Sequence, residues 1–356
     1  MRFSEILLYP FACIYGAATA FRNRMFDLGL KKSQVFEVPT VVVGNLAVGG
    51  TGKTPFVEFL LRHLSSNYRL AVLSRGYGRK TRGFIMADDR TSPQDIGDEP
   101  AQMYSKFKEK VKVAVGEERI LAIPMILAEC GDIQAILLDD AYQHRYLEPG
   151  MRILLTTYSR PFFTDRLLPL GRLRESRTNA ARADVVVVTK CPLPLSPEQM
   201  ESYVSRVREF TRPGVPIYFA GLTYGRAYAL SSKMKDLPNH LIVVTGIVDP
   251  IPLVEELSKN HTVLEVISFP DHHRYSLKDF DSFRTVYDKY RRYHPAILTT
   301  EKDAVKMKDG KFRSVLDELP IFVKPVEVLM DPQDKEQLLH QVAHLINEKQ
   351  FGGDAK

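Results

Sequence analysis

Short unbroken apolar runs alternate with longer stretches in which apolar positions recur every three or four residues. Residues 38–45 (VPTVVVGN), 69–74 (RLAVLS), 111–116 (VKVAVG), 135–140 (AILLDD), 151–158 (MRILLTTY) and 183–190 (ADVVVVTK) are of the first kind. Their β-branched and aliphatic residues suit strands buried on both faces of a parallel sheet. Residues 56–64 (FVEFLLRHL) and 122–131 (AIPMILAECG) carry helical spacing, the second closed by Gly131. Strands alternating with helices predict a parallel α/β sheet with helices on both faces, whose ligands bind at the carboxyl ends of the strands.

The pattern restarts near residue 215. Residues 216–222 and 226–230 read as a ribbon or linker, and 241–247, 262–269, 296–300 and 319–328 as strands of a second, smaller α/β unit. The expected organisation is an N-terminal helix over 1–28, a first domain over 29–215, a linking ribbon over 216–238 and a second α/β domain over 239–350.

Residues 6–21 (ILLYPFACIYGAATAF) contain no charge and are followed by Arg22, Arg24, Lys31 and Lys32. The run is marginal in length for a spanning helix. A helix in or on a membrane, a core helix and a signal peptide are all compatible with it. The basic cluster would place the rest of the chain on the cytoplasmic side.

Composition changes this picture little. With 356 residues, 44% hydrophobic and 26% charged, the chain is an ordinary globular protein of about two domains. A net charge of +6 is too mild to choose among anionic partners, and no nucleic-acid partner is expected. Cys13, Cys130 and Cys191 are scattered, which excludes CxxC motifs and a disulfide framework.

The strongest chemical signal is Ala47-Val48-Gly49-Gly50-Thr51-Gly52-Lys53-Thr54, lying between a strand and a helix. Glycines there let successive N–H groups converge on phosphate oxygens, and the helix N-terminus adds its positive end. Lys53 would reach the β- and γ-phosphates of ATP, and the Thr54 hydroxyl would ligate Mg²⁺. Ala47 stands where the usual spacing has glycine. Val48 stands where partitioning-type ATPases carry a second lysine. Thr189-Lys190-Cys191-Pro192 lacks the Asn and Asp of a guanine-reading NKxD motif.

Asp139 and Asp140 close the strand 135–140, where P-loop enzymes hold Mg²⁺; solvated turn acids are the alternative. Gln143 and His144 follow closely and can face the same cleft. Asp98, in Gly97-Asp98-Glu99-Pro100, reads first as a helix N-cap, although a kinase also needs a carboxylate to accept a hydroxyl proton. Asp271-His272-His273 fits a polar loop, a metal site or a substrate-facing histidine. Arg75 and Arg172 lie in glycine-containing loops that suit phosphate groups or ordinary surface equally.

Taken together, VGNLAVGGTGKTP (43–55), LSRGYGRK (73–80), GDEP (97–100), LLDDAYQHR (137–145), LLPLGRLRES (167–176), RADVVVVTK (182–190), FPDHHRY (269–275) and LTTEKDAVK (298–306) resemble the tetraacyldisaccharide 4'-kinase family of lipid A biosynthesis. Each stretch alone is weak; the ordered set is specific, and Ala47 is typical of that family's loop. The resemblance implies a P-loop kinase domain joined by a ribbon to a second α/β domain. It implies phosphoryl transfer from ATP to the 4'-hydroxyl of a tetraacylated glucosamine disaccharide 1-phosphate. It also implies a monomer placed by its N-terminal helix at the cytoplasmic face of the inner membrane. Asp98 then looks like the catalytic carboxylate, His272 its partner and Asp271 the group that orients the histidine. Glu99, Asp139 and Asp140 look like the acidic Mg²⁺ or substrate group, and Asn45 helps to close over the nucleotide. Arg75, Gln143, His144 and Arg172 are the expected substrate contacts. Ala141 and Tyr142 depart from the commoner glycine and phenylalanine, as does Val248-Asp249 from its usual pattern. A switch or assembly ATPase with no lipid acceptor is the alternative from another class.

Overall fold

The computed structural model describes residues 3–308 and 312–351. Helix α1 (Phe3–Asp27) leads to β1 (Thr40–Asn45), α2 (Lys53–Leu64), β2 (Leu70–Ser74), β3 (Ile85–Met86), α3 (Pro93–Ile96) and α4 (Asp98–Phe107). There follow β4 (Val111–Val115), α5 (Arg119–Glu129), β5 (Ala135–Asp139), β6 (Met151–Thr157), β7 (Val185–Thr189), α6 (Pro197–Arg208) and β8 (Ile217–Tyr224). The second half holds β9 (Tyr228–Ala229), β10 (His240–Thr245), α7 (Ile251–Ser258), β11 (Thr262–Ser268), α8 (Leu277–Lys289), β12 (Ala296–Thr300) and α9 (Glu301–Met307). It closes with α10 (Arg313–Leu316), β13 (Ile321–Lys324), β14 (Val326–Met330) and α11 (Pro332–Phe351).

The first sheet has nine strands in the order β14-β8-β7-β6-β1-β5-β2-β4-β3. From β8 to β4 every pair is parallel, and the two edges, β14 and β3, are antiparallel. Alternate residues feed two cores. Val41 and Val43 of β1 join Phe56, Leu60, Met103 and the α11 residues Leu338, Val342 and Ile346 on one face. Val42 joins Ile123, Ile126, Phe162 and Val207 on the other. Period-two alternation thus buries both faces of the strand, which is why it reads as a continuous apolar run.

The second sheet is β11-β10-β12-β13-β9, parallel except for β9. Phe280 and Phe283 of α8 cover one face and Leu253 and Leu257 of α7 the other.

Two segments differ from the sequence reading. The stretch 216–222 begins inside the first sheet: β8 pairs parallel with β7 and antiparallel with β14, and buries Tyr218, Phe219 and Ala220. Residues 319–328, read as one strand, are two strands in different sheets. Pro325 separates them, since it offers no N–H to a ladder. Lys324 pairs with Thr300 in the second sheet, whereas Val326 pairs with Tyr224 in the first. The chain therefore returns to the first sheet, and α11 packs in its core although it lies in the stretch read as the second unit.

Helix α1 outruns the charge-free segment by a turn and a half. Ile6, Leu7, Tyr9, Phe11, Ile14 and Phe21 are exposed, while Ala12, Asn23 and Phe26 are buried. That exposure removes the core-helix reading. Among the described residues no helix is long and apolar enough to cross a membrane.

Candidate active site

Loop 46–52 leaves β1 at the position where the chain crosses from one side of the sheet to the other, flanked by β5 and β6. Gly49 and Gly52 have φ of 105° and 81°, in the left-handed region that favours glycine. No side chain caps α2 and no acid lies in its first turn, so its leading N–H groups stay open to an anion. The loop is braced from below. Buried Asn45 donates from Nδ2 to Thr51 Oγ1 at 2.8 Å, and Thr189 Oγ1 donates to the Thr51 carbonyl at 2.8 Å. Asn45 thus lies under the loop, rather than closing over it. Lys53 Nζ lies 3.4 Å from Asn45 Oδ1 and 3.6 Å from Asp140.

Asp139 and Asp140 end β5 beside this loop. Asp140, at φ 51°, takes a two-pronged contact from Arg174 at 2.9 and 3.2 Å. Burial opposes its ionisation, yet Lys53 and Arg174 hold its carboxyl below the usual range. Asp139 is buried, and its Oδ1 has no hydrogen-bond partner. Burial and then the charge of Asp140 push it up to about 7, with Glu99 adding to the effect. A buried carboxyl oxygen without a hydrogen-bond partner, next to a phosphate loop, fits a divalent cation. Among the described residues no three acidic, histidine or cysteine side chains form a ready cage. Mg²⁺ on nucleotides needs none, because phosphates and water complete its shell.

Asp98 is the first residue of α4, and Gly97 is its N-cap, so the cap role expected of Asp98 is corrected. Gly97 sits at φ 93°, and a Cβ there would come within 2.8 Å of the Tyr77 carbonyl. Released from capping, the Asp98 carboxylate meets His272, with Oδ2 3.1 Å from Nδ1. The contact joins the first sheet's α4 to the loop after β11 of the second sheet. His272 is at φ 59°, and Tyr77 flanks its ring at 5.6 Å between centroids. His273 turns away to Asp279 at 3.2 Å and stacks on Phe269, so the adjacent histidines diverge and make no joint metal site. Lys302 of α9 completes the cluster, 2.8 Å from Asp271 and 3.6 Å from Glu99. Burial opposes its charge, but these acids and Asp98 raise its pKa.

A family model described as tetraacyldisaccharide-1-P 4'-kinase matches residues 4–344. This chain belongs to that family. It is 40% identical over 347 residues to the tetraacyldisaccharide 4'-kinase of Bacteroides thetaiotaomicron, covering 92% of this chain and 90% of that protein. It is 43% identical over 319 residues to that of Flavobacterium johnsoniae, covering 88% and 91%. Among solved structures, LpxK from Aquifex aeolicus in complex with ATP matches with a TM-score of 0.75 at 28% identity, over 96% of this chain and 99% of that one.

In this member of the tetraacyldisaccharide-1-P 4'-kinase family the remaining expected residues lie in three places. Arg172 lies over the phosphate loop: its carbonyl accepts from Val48 N at 2.8 Å, and its Nη1 is 3.3 Å from where a Cβ on Gly49 would stand. Gln143 uses both ends of its amide on the protein, donating to Asn45 O and Glu175 and accepting from Arg174. Its carbonyl takes Arg22 of α1 at 3.1 Å. Arg75 and His144 share a basic corner with Arg119. Burial, then Arg119, Arg22 and Arg75, push the His144 imidazole down to about 4. Burial and Arg75 bring Arg119 down to about 10.

Sequence reasoning gave no role to Arg174, Arg119, Glu175 or Lys302. Arg174 and Lys302 lie inside stretches that carried the family resemblance, Arg174 in the same arginine–glycine loop as Arg172. Helix α1 is tied to the same loops, with Tyr15 Oη donating to Arg174 O at 2.8 Å and Asn23 Nδ2 to Glu175 at 2.9 Å.

Proposed function

We propose that this chain transfers the γ-phosphoryl group of ATP to the 4'-hydroxyl of a tetraacyldisaccharide 1-phosphate in lipid A biosynthesis. The observation that carries the reading is the Asp98–His272 contact at 3.1 Å beside a braced phosphate loop. A hydroxyl acceptor needs such a carboxylate; a protein that only switches on nucleotide does not.

The loop amides, Lys53 and Arg172 bind the β- and γ-phosphates of ATP. Thr54 and Asp139 would hold Mg²⁺, with Glu99 and Asp140 beside it, and the ion would offset charge on the phosphate oxygens. Asp140 acts on the nucleotide mainly through Lys53 and Arg174, which it holds in place. Asp98 accepts the 4'-hydroxyl proton. The sugar O–H bond breaks as the new O–P bond forms, and the bond from γ-phosphorus to the β–γ bridging oxygen breaks, its electron pair leaving with ADP. Catalysis is positioning and electrostatics. Because the acid and its histidine come from different sheets, closure of the two units assembles the site and excludes water.

The exposed apolar residues of α1 support its lying in the surface of the inner membrane at the cytoplasmic face, with acyl chains held nearby and Arg75, Arg119 and the neutral imidazole of His144 near the sugar phosphate. A single copy of the chain supplies every group named.

The test is transfer of labelled γ-phosphate from ATP to the lipid disaccharide 1-phosphate in detergent micelles, with Asp98→Ala and Lys53→Ala alongside. Labelled lipid from the parent and at least a hundredfold loss in both variants is expected. ATP turnover without labelled lipid would overturn the acceptor.

A further inference from the structure

We infer that Lys302 is a positioning residue for the proton-accepting pair: by donating to Nε2 of His272 it holds the ring as the tautomer whose proton sits on Nδ1 and faces Asp98. The inference rests on the reading of Asp98 and His272 as that pair.

Donor and acceptor polarity fix the tautomer. Each nitrogen of the ring has one close polar neighbour. Nδ1 is 3.1 Å from Asp98 Oδ2, and Nε2 is 3.3 Å from Lys302 Nζ. A lysine ammonium has three donors and no acceptor. Nε2 must therefore present its lone pair, which leaves the hydrogen on Nδ1, donated to the carboxylate.

One rival could claim a proton on Nε2. Asp271 Oδ2 lies 3.6 Å away, beyond hydrogen-bond range. The other oxygen of Asp271 is already taken, by Lys302 at 2.8 Å and by the His272 backbone N–H at 3.0 Å. Asp271 thus orients the lysine and the loop, and the lysine orients the ring. Tyr77, at the ring's side, offers an aromatic surface.

Two consequences follow for the reaction. The ring's one lone pair is already taken by Lys302 and its Nδ1 by a hydrogen, so the hydroxyl proton ends on the Asp98 carboxylate, and His272 aims that carboxylate. Lys302 also contacts Glu99 of α4 at 3.6 Å, so it touches both units and its hold on the ring depends on their being together.

The experiment is a two-bond ¹⁵N–¹H correlation of the full-length protein labelled at histidine, in detergent, at one fixed pH above the ordinary histidine range. Parent, Lys302→Met and Lys302→Arg are compared, with Asp98→Ala as a separate arm. The parent is expected to show the proton on Nδ1 of His272, Lys302→Met to move it to Nε2, and Lys302→Arg to keep the parent pattern. Phosphoryl transfer by Lys302→Met should fall about tenfold or more in kcat, with KM for ATP unchanged. A proton on Nε2 in the parent, or an unchanged tautomer in Lys302→Met, would overturn the inference. If Lys302→Met does not fold, the parent spectrum alone decides. Undiminished transfer by Asp98→Ala would sink the proton-accepting pair itself, and leaves the tautomer measurement unaffected.

Discussion

Asp139 and Asp140 are adjacent at the end of β5 and differ in their direct partners. Asp140 contacts Arg174 at 2.9 Å and Lys53 at 3.6 Å, whereas the buried Oδ1 of Asp139 has no hydrogen-bond partner. One carboxylate anchors the site's cations, and the other, within the field of Lys53 and Arg119, keeps a buried oxygen with no hydrogen-bond partner.

The two substitutions should therefore separate in binding. Asp139→Asn is expected to weaken binding of ATP with Mg²⁺ about tenfold or more, and to leave binding of ATP in chelator nearly unchanged. Asp140→Asn should weaken both, because Lys53 loses its anchor. Calorimetric titration with and without Mg²⁺ reads the difference, and equal losses for Asp139→Asn in both conditions would count against a metal role.

Gly44→Ala should destabilise the first unit. A Cβ at Gly44 would stand 2.7 Å from Tyr142 Cβ and 3.0 Å from its backbone N. Overpacking of this kind costs about 1–3 kcal/mol, readable by urea denaturation. A neutral result would mean that the loop after β5 yields more easily than its buried tyrosine suggests.

Lys106 lies between two buried acids, in contact with Glu58 and 2.7 Å from Glu301. Lys106→Met leaves both without a counter-charge, at a cost of about 3 kcal/mol or more. Burial already raises the Glu58 pKa above its ordinary value. The folded state therefore binds the more protons, and stability falls as pH rises through the folded pKa. The cost of Lys106→Met should be larger in mildly alkaline than in mildly acidic buffer. A pH-independent cost would assign the effect to lost packing.

His144 gives the opposite slope. Its folded pKa of about 4 lies below the ordinary 6.5, so the unfolded chain binds more protons between those values and stability drops as pH falls through that window. After discounting for its partial exposure, the loss is about 1–2 kcal/mol. Melting curves of His144→Gln should be flatter than the parent's across that window; parallel curves would show that the imidazole is not held neutral.

Much of this was legible in the chain itself. The strands around the phosphate loop are unbroken apolar runs, and loop 47–54 carries its chemistry within eight consecutive residues, so local reading suffices. Asp98 misled because an acid after glycine at a helix start satisfies the capping rule, and only its long-range partner His272 reveals the other use. Residues 319–328 misled because a single proline decides which sheet each half joins. Arg174 and Lys302 could not be found locally, since their partners Asp140 and His272 lie far off in sequence.

Strand β14 and helix α11 also set an order of events during synthesis. The first sheet is opened by β1 and closed only after the strands of the second sheet have been made, since β14 pairs with β8 and Leu338, Val342 and Ile346 finish the core around Phe56. Until those residues leave the ribosome, β8 is an unpaired edge and one face of α2 is uncovered, with the entire second unit already emerged between them. A nascent or truncated chain ending before residue 326 is thus the species most exposed to wrong association, and emergence of β14 and α11, not of the phosphate loop, marks when the nucleotide-binding half can become stable.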